Sequence, residues 1–266
     1  MSAVLVPKSS PEDAFYENLT LNLKKVLNNI PRITNVTLEK RQPCERATVA
    51  TWEQRHNVYL PDDMKRFYLS TDGFLLHWSY QYSPEDIRRV GFLSIPHLLQ
   101  INLLRENVEP AVTSSPPAPY LKHGQDISVS QPNLNLRSKI FELSNICDTA
   151  KICIIYETPE TANPKIFLLE TQSHKWHFLA DSFTEYQRMS IAHLGLPYWE
   201  LCFSTCGLPS WAEQLYLLLA PHLLEKNEPR RSRTLLASHE QPPYNQLDPS
   251  IFRLKPKCVR QNQKPK

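Results

Sequence analysis

Five glycines stand against twenty-three prolines in this chain of 266 residues. That imbalance excludes a class of sites, because loops that wrap a phosphate need glycine where backbone N–H groups approach the ligand closely. Neither main type of Gly-rich phosphate loop is present. A core is well provided for: 41% of residues are hydrophobic and 21% charged, the balance of a globular protein. No stretch nears the roughly 20 consecutive apolar residues of a membrane helix. The start, Met1-Ser2-Ala3-Val4-Leu5-Val6-Pro7-Lys8, lacks the charged lead and long apolar run of a secretory signal. A cytosolic or nuclear setting is therefore expected, with Cys44, Cys147, Cys153, Cys202, Cys206 and Cys258 as free thiols.

The formal net charge of +3 hides an asymmetry. Residues 226–266 carry ten Lys/Arg against three Asp/Glu, a net of +7, which leaves residues 1–225 with 20 basic and 24 acidic residues, a net of −4. A mildly acidic body ending in a basic segment suggests an anionic partner for that segment.

After a polar, flexible lead over residues 1–12, Phe15, Leu19, Leu23, Val26 and Ile30 recur at helical spacing until Pro31, which predicts one amphipathic helix. Residues 33–40 read as a strand and 51–57 as a helix with Trp52 inward. In Leu60-Pro61-Asp62-Asp63-Met64-Lys65-Arg66-Phe67-Tyr68-Leu69, proline suits the first helical position and two acids suit the positive end of the helix dipole. Met64, Phe67 and Tyr68 form its inner face, and Gly73 provides the left-handed residue that ends it. Strands at 74–80 and 90–95 come next, then a helix from Pro96 to Arg105. Residues 106–137, with Pro110, Pro116, Pro117, Pro119 and Pro132, read as a flexible insert.

Four more strands are expected at 139–143, 151–157, 165–170 and 175–180. Ile152-Cys153-Ile154-Ile155-Tyr156 has the composition of a central strand covered on both faces. The following segment is helical, opened twice by capping-box patterns, Ser182-Phe183-Thr184-Glu185 and Ser210-Trp211-Ala212-Glu213. The first leads a face of Phe183, Tyr186, Ile191 and Leu194 closed by Gly195, and a short helix over 197–204 separates it from the second. The second leads a face of Trp211, Leu215, Leu218, Leu219 and His222, interrupted by Pro221. From Lys226 onward Pro, Arg, Ser and Gln dominate, the composition of a disordered tail with a docking element at 247–254.

Candidate chemistry is sparse. His174-x-x-His177 with Cys202-x-x-x-Cys206 has zinc-like ligands, yet two histidines at this spacing on a strand face opposite sides of the sheet. Asp181 could pair with His177 as a dyad, but capping the helix at Ser182 is the simpler role, with His177 as a surface strand residue. There is no Gly-x-Ser-x-Gly elbow, and Asp62 and Asp63 suit an exposed first turn. No catalytic, cofactor-binding or metal residue is assigned. Trp78, beside His77 on an expected edge strand, and Trp199, after Pro197, are candidate exposed anchors for a partner, with a core role as the alternative. Arg230, Arg231, Arg233, Lys255, Lys257 and Arg260 are candidate contacts for acidic protein tails, RNA or anionic lipid, with a solubilising disordered end as the alternative; no aromatic residues interleave with them, which weakens the nucleic-acid option.

The run Trp52-Glu53-Gln54, Leu60 to Tyr68 and Thr71-Asp72-Gly73-Phe74 resembles the helix–Leu-Pro–helix–Gly signature of the SUKH superfamily of α+β interaction modules. More closely, it resembles the subunit 2 family of the tubulin polyglutamylase complex. Further matching segments are Ile140-Phe141-Glu142-Leu143, Trp176 to Phe183, His193-Leu194-Gly195-Leu196-Pro197 and Leu247-Asp248-Pro249-Ser250, so that residues 15–255 are covered. The chain departs from that family in a proline-rich rather than acidic 106–137 insert and in a shorter tail less rich in Ser and Gly.

The resemblance implies an α+β, SUKH-like single domain over residues 13–225, a mixed or antiparallel sheet packed against helices, followed by the basic tail. It also implies a non-catalytic scaffold whose partners are the other subunits of the complex. Among them would be a tubulin-tyrosine-ligase-like catalytic subunit that uses ATP, with tubulin as a further partner of the tail. Microtubules, the centrosome with its satellites and the base of the cilium would be its places of work, and no membrane is involved. Two alternatives stay open: a regulatory SUKH module with another partner, and an unrecognised hydrolase or metalloprotein.

Overall fold

The computed structural model describes residues 10–104 and 131–224. The first helix starts earlier and ends earlier than its spacing predicts. Ser10 accepts the Asp13 N–H at 3.1 Å while the Asp13 carboxylate binds back to Ser10, and Pro11 occupies the first turn, so α1 spans Pro11–Leu19. Leu21 and Asn22 then take left-handed φ values of 50° and 60°, and a separate α2 runs over Leu23–Asn28. The break rotates the buried face: Tyr16, Leu23 and Leu27 point inward, and Val26 is exposed. Tyr16 fixes this geometry, since its hydroxyl accepts the Arg41 N–H at 2.9 Å and shares a hydrogen bond with Thr71.

Three antiparallel strands form the first sheet in sequence order, β1 (Ile33–Glu39), β2 (Phe74–Gln81) and β3 (Ile87–Ile95). Helices α3 (Arg46–His56) and α4 (Asp62–Ser70) separate β1 from β2 in the chain. Trp52, Met64, Phe67 and Tyr68 are buried, as expected. Asp63 does more than serve the dipole: its Oδ2 accepts the Thr184 N–H at 2.9 Å and the Thr184 hydroxyl at 3.0 Å. Gly73, at φ 80°, is required sterically as well as conformationally, because a Cβ there would lie 2.3 Å from the Ile95 carbonyl oxygen.

The helix expected from Pro96 does not form. Tyr68 donates its hydroxyl to the Pro96 carbonyl, and the Asp72 carboxylate takes the Leu98 N–H at 2.8 Å and pairs with His97 Nδ1 at 3.0 Å. These partners hold the segment extended, with one 3-10 turn at Leu98–Gln100 before β4 (Asn102–Leu103).

The second sheet is antiparallel in the order β4, β5 (Lys139–Ile146), β6 (Ala150–Tyr156), β7 (Lys165–Glu170) and β8 (Trp176–Ala180). β6 is its middle strand and is covered on both sides. Ile152, Ile154 and Tyr156 belong to the main core, while Cys153 and Ile155 join a smaller cluster with Phe167, Leu169 and Trp176. Leu134, in the described end of the proline-rich segment, packs on that second face. Trp52 packs against Phe141 with tilted rings and centroids 5.1 Å apart, so one core joins α3 to β5.

Helix α5 (Phe183–Ala192) is capped by Ser182, which accepts the Glu185 N–H; Asp181 pairs instead with Lys165 at 3.2 Å and is not the cap. A 3-10 turn at Trp199–Phe203 leads to α6 (Ser210–Leu219). Here the N-cap is Pro209 rather than Ser210, and the inner face is Ala212, Leu215 and Tyr216. The expected face was out of phase: Trp211 and Leu218 are 50% and 57% exposed. Among the described residues no helix is long and apolar enough to cross a membrane. Residues 1–9, 105–130 and 225–266 lie outside the described residues, and with them the expected tail over 226–266 and most of the expected lead over 1–12 and insert over 106–137.

Candidate functional site

Both tryptophans expected as exposed anchors are in the interior. β2 is the central strand of its sheet, not an edge, and Trp78 is fully buried with its indole N–H donated to the Leu194 carbonyl at 2.9 Å. Gly91 on β3 makes room for the ring, since a Cβ there would sit 1.9 Å from it. Trp199 is buried too, stacked on His193 with centroids 4.8 Å apart. The six basic candidates from Arg230 to Arg260 lie outside the described residues.

Of His174, His177, Cys202 and Cys206 only His177 and Cys206 come together, both beside the Glu170 carboxylate. His174 is exposed in a left-handed turn, Cys202 packs against the main core, and among the described residues no group of three or more His, Cys, Asp or Glu is placed to hold a metal ion. His177 is not the surface residue expected. Its Nε2 lies 2.8 Å from the buried Glu170 Oε1, and its own side chain is only 11% exposed.

Sequence reading missed Glu170, which gathers the densest polar cluster described. Oε1 also accepts the backbone N–H and the hydroxyl of Thr205, each at 2.8 Å, and Oε2 accepts the Ser173 hydroxyl. Burial alone would raise this carboxyl group, but the hydrogen bonds from Ser173 and Thr205 win and hold it down at about 2. A carboxylate only accepts, so His177 Nε2 carries its proton. Ser, His and Glu suggest a triad by composition, yet the serine and the histidine both bind the carboxylate. A nucleophile needs its base directly on the hydroxyl, and this arrangement instead ties the β7–β8 hairpin to the loop before α6. Thr205 is 35 residues from Glu170 in the chain, so no local motif marks the pair.

The largest change from the expected surface is on α6. Trp211, Leu217 and Leu218 are exposed by 50%, 60% and 57%. Trp211 and Leu218 line a groove with Tyr82, Val90, Arg88 and Arg89 of the β2–β3 hairpin. Arg88 is engaged with Asp86 at 2.8 and 2.9 Å and lies over the Tyr82 ring, whereas Arg89 is exposed to solvent. Large apolar side chains grouped beside a cation are the composition of a protein-binding surface rather than of a reaction centre.

No family model matches the chain, and no solved structure matches it. The SUKH likeness of residues 52–74 is not addressed by either comparison. Curated relatives do match along nearly the whole length. A tubulin polyglutamylase complex subunit 2 from Rattus norvegicus is 30% identical over 265 residues, covering 95% of this chain and 86% of the relative. The protein of that name from Mus musculus is 30% identical over 271 residues, covering 97% and 88%. That from Homo sapiens is 32% identical over 251 residues, covering 91% and 81%. Identity at this level over both chains is the mark of common descent, and the chain belongs to the tubulin polyglutamylase complex subunit 2 family.

Proposed function

We propose that this chain is a non-catalytic adaptor of the tubulin polyglutamylase complex, supporting glutamate addition to tubulin by a separate, ATP-using, tubulin-tyrosine-ligase-like subunit. The observation that carries this reading is the 30–32% identity to named subunits of that complex along nearly the whole chain. Two physical features support it. Five glycines leave no phosphate cradle of the usual kinds, and the Glu170 cluster engages its serine and histidine in a structural clamp. The exposed Trp211–Leu218 face of α6 is the surface we assign to a neighbouring subunit, one that would bring apolar side chains and an acid for Arg89. The +7 segment over residues 226–266 would hold the acidic tail of tubulin near the ligase, with microtubules, centrosome and cilium base as the setting.

Tagged chain purified from cells tests the adaptor role. A tubulin ligase should co-elute, and the co-eluate with ATP should add glutamate to tubulin while the isolated chain does not. Turnover by the isolated chain would refute the non-catalytic reading, and absence of any ligase would refute the adaptor. Removal of residues 226–266 should weaken microtubule binding in a salt-sensitive way, and unchanged binding at low salt would reject the charge mechanism.

A further inference from the structure

One buried acid is not accounted for by the clamp or by the α6 surface. Glu200, in the turn before α6, is 8% exposed and lines a cavity of 120 Å³ between the end of β3 and the end of β5. Tyr186, Ser190 and Trp199 form its floor, each 4% exposed. The rim is Phe92, Ser94, Asn145 and Cys147, all exposed, so the cavity opens to solvent. Glu200 Oε1 accepts one side-chain hydrogen bond, from the Tyr186 hydroxyl at 3.2 Å. Among the described residues no Lys or Arg lines the cavity.

The described residues lining the cavity give this carboxylate no countercharge, and burial pushes Glu200 up to about 7. The titratable groups around it do not supply one. Tyr186 on α5 and Tyr216 on α6 are held neutral by burial, as is the Cys202 thiol beside Glu200. His193, stacked on Trp199, is pushed down by burial and is neutral at physiological pH. Cys147 at the rim shares a hydrogen bond of 2.7 Å with Tyr198. The cavity therefore presents one carboxyl group, several hydroxyls and the side chains of Trp199 and Tyr186.

That set matches one ligand chemistry. A primary ammonium has three donors, which the carboxylate and serine hydroxyls would accept, and its charge would neutralise the buried acid. The volume admits an ammonium on a short alkyl chain. We propose that the Glu200 cavity is a binding site for a primary alkylammonium group, brought either by a small free amine or by a lysine side chain of a partner.

Calorimetric titration of the full chain with n-butylammonium tests this. One saturable site is expected with a millimolar dissociation constant, at least about tenfold weaker in Glu200→Gln and in Ser94→Trp, which blocks the mouth and leaves the floor intact. Tetramethylammonium, which has no donor, should not bind. At about pH 6 binding should release a proton, read from the dependence of heat on buffer, and at about pH 8.5 it should not, because an ammonium favours the ionised acid. N-acetyl-lysine amide separates the sources: binding like butylammonium assigns the site to a side chain, and failure to bind while butylammonium binds assigns it to a small amine. The proposal is overturned if butylammonium shows no saturable heat at ten times that concentration, or if Glu200→Gln binds it equally.

Discussion

Glu200 makes a quantitative prediction that needs no ligand. Its carboxyl is raised from 4.5 to about 7 by burial in the fold. Below pH 4.5 the acid is protonated whether the chain is folded or not, and it has no linkage effect. Between 4.5 and 7 the unfolded chain ionises while the folded chain holds its proton, so stability falls as pH rises. Above 7 the loss is complete. At about 1.36 kcal/mol per pH unit this amounts to about 3 kcal/mol. Glutamine keeps the shape and an oxygen to accept from Tyr186, but does not titrate. The stability of Glu200→Gln relative to the native chain should therefore grow by about 3 kcal/mol from pH 4.5 to pH 8, or roughly 6–12 °C in Tm. Urea unfolding at a series of pH values reads it directly. Parallel stability curves for the two proteins across that window would refute the reasoning, because they would mean that the acid ionises as freely in the fold as in the unfolded chain.

Three further outcomes follow from named contacts. Glu170 titrates in the opposite sense: its folded value of about 2 lies below the ordinary 4.5, so its stabilisation is present above 4.5 and is lost as pH falls towards 2. Glu170→Gln should cost about 3 kcal/mol at neutral pH and flatten the acid limb of the urea series, and an unchanged limb would contradict the clamp. Gly91→Ala places a Cβ 1.9 Å from the Trp78 indole and should destabilise by at least about 3 kcal/mol, measured by the same unfolding; native stability would show that the ring does not lie there. The pair Trp211→Ala and Leu218→Asp, both at exposed positions, should change stability by less than about 1 kcal/mol yet remove co-purification of partner subunits, and retained co-purification would place the subunit contact elsewhere.

Local signals were legible where they concerned the chain's own neighbours. Proline and two acids before Met64-Lys65-Arg66-Phe67-Tyr68 marked α4 and its inner face, and the Ile152–Tyr156 run marked a strand buried on both sides. Ser182 was rightly marked as the cap, but the reciprocal half of the box fails because Glu185 takes the Asp181 N–H instead, and Asp181 was given the wrong role. Helical phase was harder. One turn of left-handed backbone at Leu21 and Asn22 rotated the second half of the first helix, and α6 packs with Ala212, Leu215 and Tyr216 inward, which leaves Trp211 and Leu218 outside. An apolar stripe of three or four residues fits two neighbouring phases almost equally, and the packing partner chooses between them.

The amino-acid order alone determined that the chain is α+β, that glycine-dependent phosphate loops are missing, and that it shares ancestry with a tubulin-modifying assembly, because period, turn residues and similarity are written in consecutive residues. Tertiary structure decided which polar groups meet. Glu170 finds Thr205, Asp63 finds Thr184 across 121 positions, and Trp78 finds a carbonyl 116 residues away. It also decided that Glu200 meets no cation among the described residues lining its cavity. Burial and partnership set the charge and the role of each of these side chains, and both arise when the two sheets and α5 close on one another.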